Sequence, residues 1–171
     1  YTLYSGTFTS QDDGYSNTAI TIPTFSQNGV SGTSLYLSTN GYVTLNGGNG
    51  GIYSAPNVAV ASASATIHGN AADLWLQKGL VNSDGDTQNW YYKIEDYGSK
   101  YAIKNIVYSG TYGAATTPSS FFLNLYRDTQ YQYVETRVKS NTYGTVGPYN
   151  SPSVAQSAST TSRVWRGDLN G

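Results

Sequence analysis

The side chains able to carry chemistry are few and scattered. His68 is the single histidine and there is no cysteine. Those two facts exclude a histidine-pair metal site, a thiol nucleophile, a disulfide framework, a zinc–thiolate site and an iron–sulfur cluster. A serine hydrolase of the nucleophile-elbow type needs Gly-x-Ser-x-Gly, and no such pentapeptide occurs. His68 lies in a run of small residues, so a loop or backbone-bonded imidazole is a plainer reading than a catalytic base. Paired carboxylates could serve glycoside hydrolysis, but Glu95 and Glu135 are the only glutamates, and no spacing among the aspartates favours a pair. The sequence therefore nominates no catalytic, cofactor-binding or metal-ligating residue, and the expectation is that the chain is not an enzyme.

Two short motifs still need weighing. Asn82, Asp84 and Asp86 set oxygen ligands at alternate positions, as a calcium loop does. An EF-hand wants Gly at the sixth position and Glu at the twelfth; Thr87 and Lys93 stand there, so that motif fails. The run is either a plain solvated turn or a Ca2+ site of another kind. Arg166-Gly167-Asp168 spells the integrin-recognition tripeptide, which chance also supplies, and nothing else points to an animal-cell partner.

What must position these residues is written in the composition. Gly, Ser, Thr, Asn and Tyr make up more than half of the 171 residues, while only 11% are charged. Hydroxylated, aromatic and turn-forming residues suit pleated sheets and hairpins, and an all-helical fold is excluded. The net charge of −1 with scattered Lys and Arg offers no basic face to neutralise phosphates, which argues against nucleic-acid binding. No apolar run approaches a membrane span. Apolar residues are 38% of the chain and aromatics 14%, so Tyr is expected to supply core area that Leu and Ile usually supply. The absence of Cys fits an extracellular setting. A strand-like run begins at Tyr1 with no signal peptide before it, reading as a mature N-terminus or as a piece of a longer chain.

The strand pattern is regular. Tyr1–Phe8 puts Tyr4 and Phe8 on one face. In Thr18–Pro23, Ile20 and Ile22 share a face, and Pro23 should mark an edge or an end. Ser34–Leu37 and Gly41–Leu45 flank Ser38-Thr39-Asn40-Gly41, whose Asn-Gly is the strongest short hairpin signal in the chain. Residues 46–51 form a Gly/Asn loop. The small-residue run 58–68 reads as helical turn, strand or coil. Asp73–Val81 allows one short helix, stopped at Gly79. Trp90–Glu95, Tyr101–Tyr108, Phe121–Tyr126 and Tyr131–Val138 then read as a four-stranded meander, with Ser109–Ser120 as its long loop. In the last of these strands Glu135 and Arg137 share an outward face with Tyr131 and Tyr133, opposite Val134, Thr136 and Val138. Arg163-Val164-Trp165 allows one further strand.

More tyrosines occur than one core needs. Tyr91, Tyr97, Tyr126, Tyr131 and Tyr133 include rings that alternation turns outward. Such rings build subunit interfaces and, beside Asn, Gln and Ser, also stack on sugars. Subunit packing is the first reading and glycan contact the second.

Leu35-Tyr36-Leu37-Ser38-Thr39-Asn40-Gly41-Tyr42-Val43-Thr44-Leu45 resembles the opening strand pair of nidogen-like extracellular β domains. Asn89-Trp90-Tyr91-Tyr92-Lys93, Tyr101-Ala102-Ile103-Lys104 and Phe121-Phe122-Leu123-Asn124-Leu125-Tyr126 follow in an order similar to β-rich modules of marine cyanophage structural proteins. There an aspartate-bearing segment precedes the paired-Tyr strand, and Asp73, Trp75 and Gln77 would occupy it. The resemblance covers about residues 35–148. It departs at Asn105-Ile106-Val107-Tyr108-Ser109-Gly110, where a charged Arg-Tyr-Glu-Gly run is expected. The resemblance implies a non-catalytic module of an appendage or surface structure, and it transfers no catalytic residue.

The expectation from these readings is an all-β chain built as an antiparallel two-sheet sandwich, jelly-roll-like, with at most one short helix. Residues 1–150 would be the sandwich and 151–171 a Ser/Ala/Thr-rich arm or linker. The expected role is that of an extracellular or virion-surface structural and adhesive module. It would self-associate as a homo-oligomer or filament through strand addition by residues 1–8 or 151–171, with a glycan or host-surface ligand, no cofactor, no nucleic acid and no membrane span. The alternative is a carbohydrate-binding module of a secreted enzyme.

Overall fold

The structure is a computed structural model. It describes residues 2–27, 30–48, 66–71, 74–76, 78–79, 81, 87–94, 103–112, 117–127, 132–140, 144–148, 156–158 and 163–168. Among these the strands are β1 (Thr2–Leu3), β2 (Ile20–Gln27), β3 (Val30–Leu37), β4 (Tyr42–Leu45), β5 (Thr66–Ala71) and β6 (Asn89–Ile94). The second half adds β7 (Ile103–Tyr112), β8 (Thr117–Arg127), β9 (Gln132–Ser140), β10 (Gly144–Pro148), β11 (Gln156–Ala158) and β12 (Arg163–Asp168). They form two antiparallel six-stranded sheets, ordered β1-β6-β7-β8-β9-β12 and β11-β10-β5-β4-β3-β2. No helix occurs among the described residues, so none there is long and apolar enough to cross a membrane.

The expected meander is β6 to β9, four sequential strands each paired with the next. Its middle differs from expectation. Ser109–Ser120 is not one long loop: β7 and β8 stay paired from Ile106↔Leu123 out to Tyr112↔Thr117. The Ser, Thr and Tyr of this stretch are sheet-compatible, and Pro118 is tolerated because β9 ends at Ser140, opposite Ser119. Among the described residues Pro118 thus has a strand neighbour on the β7 side alone, where it pairs with Thr111.

Pro23 behaves as its chemistry requires. It lies in β2, the outer strand of its sheet, and the β2–β3 register shifts between Thr21 and Phe25, around it. Asn40-Gly41 closes the β3–β4 hairpin, with Leu37 opposite Val43 and the Ser38 N–H donating to the Tyr42 carbonyl at 2.9 Å. Gly41 takes φ +81°, and Asn40 is not among the positive-φ residues. The turn is therefore the looser kind that needs one left-handed residue at its end.

Asp73–Val81 holds no helix over its described residues. Leu74 and Leu76 are buried and Trp75 between them is half-buried, a period of two, which belongs to extended chain. Trp75 bridges to Asp12, and the Leu76 N–H donates to the Gln11 carbonyl at 3.0 Å. Burying both leucines is worth about 1.5–3 kcal/mol each, and a single helical turn could not point both inward from positions i and i+2.

One buried cluster draws on both sheets. Ile20, Ile22, Phe25, Leu35, Leu37, Val43, Leu45 and Ile67 come from the second sheet, and Trp90, Leu123 and Leu125 from the first. Tyr4, Leu74 and Leu76 complete it from the connecting segments, with Phe8, Tyr92 and Ile94 packed alongside. Tyrosine contributes as composition implied, through Tyr4 and Tyr92, yet among the described side chains of the cluster aliphatic residues dominate. Tyr42 is fully buried but lies outside that cluster, since alternation turns it with Thr44 to the other side of β4.

Candidate functional site

Three groupings of side chains are built by this fold. The first surrounds the β3–β4 turn. Residues 14–16 run beside the end of β3: the Ser16 N–H donates to the Leu37 carbonyl at 2.8 Å, and the Leu37 N–H donates to Ser16 Oγ at 3.0 Å. The Thr39 N–H donates to the Gly14 carbonyl at 2.9 Å, and Thr39 Oγ1 accepts from the Gly14 N–H at 2.9 Å. Asn40 is fully buried. Its Nδ2 donates to Asp13 Oδ1 at 2.7 Å, and its Oδ1 accepts from the Leu74 N–H at 2.9 Å. Asp13 holds φ +50° to present that carboxylate, a conformation that Asp tolerates better than most residues. The chemistry of this grouping is polar satisfaction: each group is committed to a neighbour.

The second is an open cavity of about 390 Å³ between Tyr4–Gly6, the residues from Thr18 to Thr21, and Tyr92 and Ile94 of β6. Tyr4 is its floor, with its hydroxyl donating to the Thr18 carbonyl at 2.9 Å. The Tyr4 ring meets Phe8 edge-on at 5.5 Å, so the two do pack together as alternation implied, although the strand itself ends at Leu3. Lys78 Nζ donates to the Gly6 carbonyl at 2.8 Å and lies 5.8 Å from the Tyr4 ring centre, fastening the rim. The lining offers two phenol rings, the hydroxyls of Ser5, Thr18 and Thr21, and aliphatic Ile20 and Ile94, with no charged side chain. Such a lining suits a neutral polyhydroxylated ligand.

The third is a row across the first sheet. Leu3 pairs with Tyr91, Tyr91 with Val107, Val107 with Phe122, Phe122 with Arg137 and Arg137 with Val164. This row lies on the face opposite Trp90, Leu123 and Leu125. Leu3 is 44% exposed and Tyr91 half-buried. Tyr126 and Tyr133 stand opposite each other two rows further along the same face.

The residues singled out by sequence are distributed as follows. Asn82, Asp84 and Asp86 lie outside the described residues, as do Asp73, Gln77, Glu95, Tyr97 and Tyr131. The backbone of His68 is in β5, opposite Tyr42 on one side and Gly147 on the other. Trp75, from the aspartate-bearing segment, donates its indole N–H to Gln11 Oε1 at 3.0 Å. Arg166-Gly167-Asp168 ends β12, opposite Glu135, Val134 and Tyr133 of β9. Among the described residues no three His, Asp or Glu side chains gather as a metal site would require. Sequence reading missed the Asp13–Asn40–Leu74 tie and the cavity, because both join segments distant in the chain. The one local hint was an Asn at a tight turn. Comparison of the chain with protein-family models, with curated proteins and with solved structures returns no match.

Proposed function

We propose that the chain is a non-catalytic structural and adhesive module that assembles with copies of itself outside a cell or on a virion. Its two antiparallel sheets face each other as a jelly-roll-like sandwich across the shared buried cluster. The nidogen-like or cyanophage appendage module is the architectural type we propose. The observation that carries the reading is the row on the outward face of the first sheet. Leu3 and Tyr91 set apolar and aromatic surface side by side, and the same backbone register continues through Val107 and Phe122 to Arg137. An apolar, aromatic stripe rimmed by polar residues is what subunit interfaces use.

The test is native mass, by light scattering on a sizing column, followed by negative-stain imaging of the same peak. A homo-oligomer, a ring or a filament is expected. A clean 18.4 kDa monomer at high concentration removes the assembly reading.

The cavity beside Tyr4 and Tyr92 favours a second reading, a carbohydrate-binding module. Its uncharged, hydroxyl-rich lining and two phenol rings suit a pyranose. A glycan-array signal lost in Tyr92→Ala supports it; no signal on any glycan, or one unchanged by that substitution, counts against it.

A further inference from the structure

The four outer strands of the two sheets differ in how well they are blunted against pairing. β1 has two residues and β11 three, while β2 carries Pro23 and a register shift. β12 is different: six residues, no proline, and an unbroken register with β9 from Arg163↔Val138 to Asp168↔Tyr133. Among the described residues no strand pairs with its other side. An edge of this kind accepts another strand.

Resting on the assembly reading above, we propose that β12 pairs antiparallel with β12 of a second copy, about a two-fold axis at Gly167, so that the two first sheets become one. The occupant follows from register and charge. In a continuous sheet, residues directly opposite must belong to the same face, so the axis passes through a residue position. An axis at Trp165 sets Arg166 opposite Val164. An axis at Arg166 sets Arg opposite Arg, and one at Asp168 sets Asp opposite Asp. Only the axis at Gly167 places Arg166 opposite Asp168 of the second copy, twice by symmetry. Because Arg166 also stands opposite Glu135 within its own chain, the row then runs Glu135, Arg166, Asp168 of the second copy, alternating in sign. Opposite charges directly across strands stabilise a pair and like charges destabilise it. At the axis the two Gly167 positions face one another with no side chain between them. The Arg-Gly-Asp triplet is thereby self-complementary, and its use in this chain is contact between copies.

Cysteine is absent from the chain, which makes the test clean. Directly opposed residues of an antiparallel pair have Cα atoms about 4.5–5.5 Å apart, within disulfide range of about 4.4–6.8 Å. Gly167→Cys under mild oxidation is expected to run as a species of twice the chain mass. Thr21→Cys, exposed on β2 of the other sheet, serves as the control and should stay single. Asp168→Arg alone should weaken self-association about tenfold. An equimolar mixture with Arg166→Asp should restore it, because each variant then offers what the other lacks; a variant that had merely unfolded gains nothing from mixing. Cross-linking of Gly167→Cys no faster than the control overturns the β12 edge. If the wild type is nonetheless assembled, the broader assembly reading stands. If the wild type is monomeric throughout, both fall.

Discussion

Asn40 and Asp13, 27 positions apart in the chain, meet through a 2.7 Å hydrogen bond in which the buried amide donates to the carboxylate. The same amide accepts from the Leu74 N–H, so one side chain at a hairpin tip fastens the N-terminal loop and the segment leading to β6. A buried group whose partner is removed costs about 1–3 kcal/mol in lost solvation, and here two partners depend on one residue.

Asn40→Ala is therefore expected to destabilise the fold by about 2–4 kcal/mol. Asp13→Ala should cost less, about 1 kcal/mol, because Asp13 is solvent-exposed and Asn40 keeps its bond to Leu74. Urea unfolding followed by tyrosine fluorescence measures both. Equal losses would mean that the Leu74 bond contributes nothing.

Much of this architecture could be read from residue order, for reasons visible at particular places. Ile20 and Ile22 alternate with Thr21, and Val134, Thr136 and Val138 alternate with Tyr133 and Glu135; period two is a local property. Asn40-Gly41 marked its hairpin because only a few residues accept left-handed backbone, and Pro23 marked an outer strand because it lacks a donor. The failures lie where tertiary partners decide. Leu74, Trp75 and Leu76 before Gly79 match the opening of a helix as well as they match extended chain; what selects the latter is Gln11, Asp12 and Asn40, none of them nearby in sequence. Ser109–Ser120 is rich in turn residues, and only pairing between β7 and β8 makes strand of its described residues, 109–112 and 117–120. The cavity beside Tyr4 joins three segments spanning residues 4 to 94, so no window of sequence contains it.

The extended reading of residues 74–76 has a sharp mutational signature. Leu74→Ala and Leu76→Ala should each cost about 2–5 kcal/mol as cavity-forming truncations. Trp75→Ala, although it removes the largest side chain of the three, should cost no more than about 1–2 kcal/mol, since its ring is only half-buried and its indole bond to Gln11 is exposed. A helix would reverse part of this order by turning one leucine outward. Thermal unfolding of the three variants decides between them.

Tyr4 tests how the cavity floor is held. Its hydroxyl donates to the Thr18 carbonyl at 2.9 Å and lies 3.0 Å from Thr18 Oγ1, while its ring packs into the core cluster. Tyr4→Phe keeps the ring and is expected to cost about 1 kcal/mol. Tyr4→Ala loses the ring too and should cost about 3–5 kcal/mol. If the sugar-binding reading is right, Tyr4→Phe also weakens glycan binding, because Thr18 is released at the rim; unchanged glycan affinity would confine Tyr4 to a packing role.

The outward row separates assembly from stability. Leu3 is 44% exposed, so truncating or polarising it takes little from the fold, and Tyr91 points away from the buried cluster. A double variant, Leu3→Ser with Tyr91→Ser, is expected to lose about 1 kcal/mol or less of unfolding free energy. Its native mass, in contrast, should fall toward that of the edge-paired dimer, because hydrophobic contact between copies is lost on both partners at once. The row is a face and β12 is an edge, so the two contacts can be read apart. Loss of assembly in the row variant with Gly167→Cys still cross-linking would show dimers held by the edge and stacked by the face. Assembly unchanged by the row substitutions would leave the edge as the sole contact and retire the aromatic face as an interface.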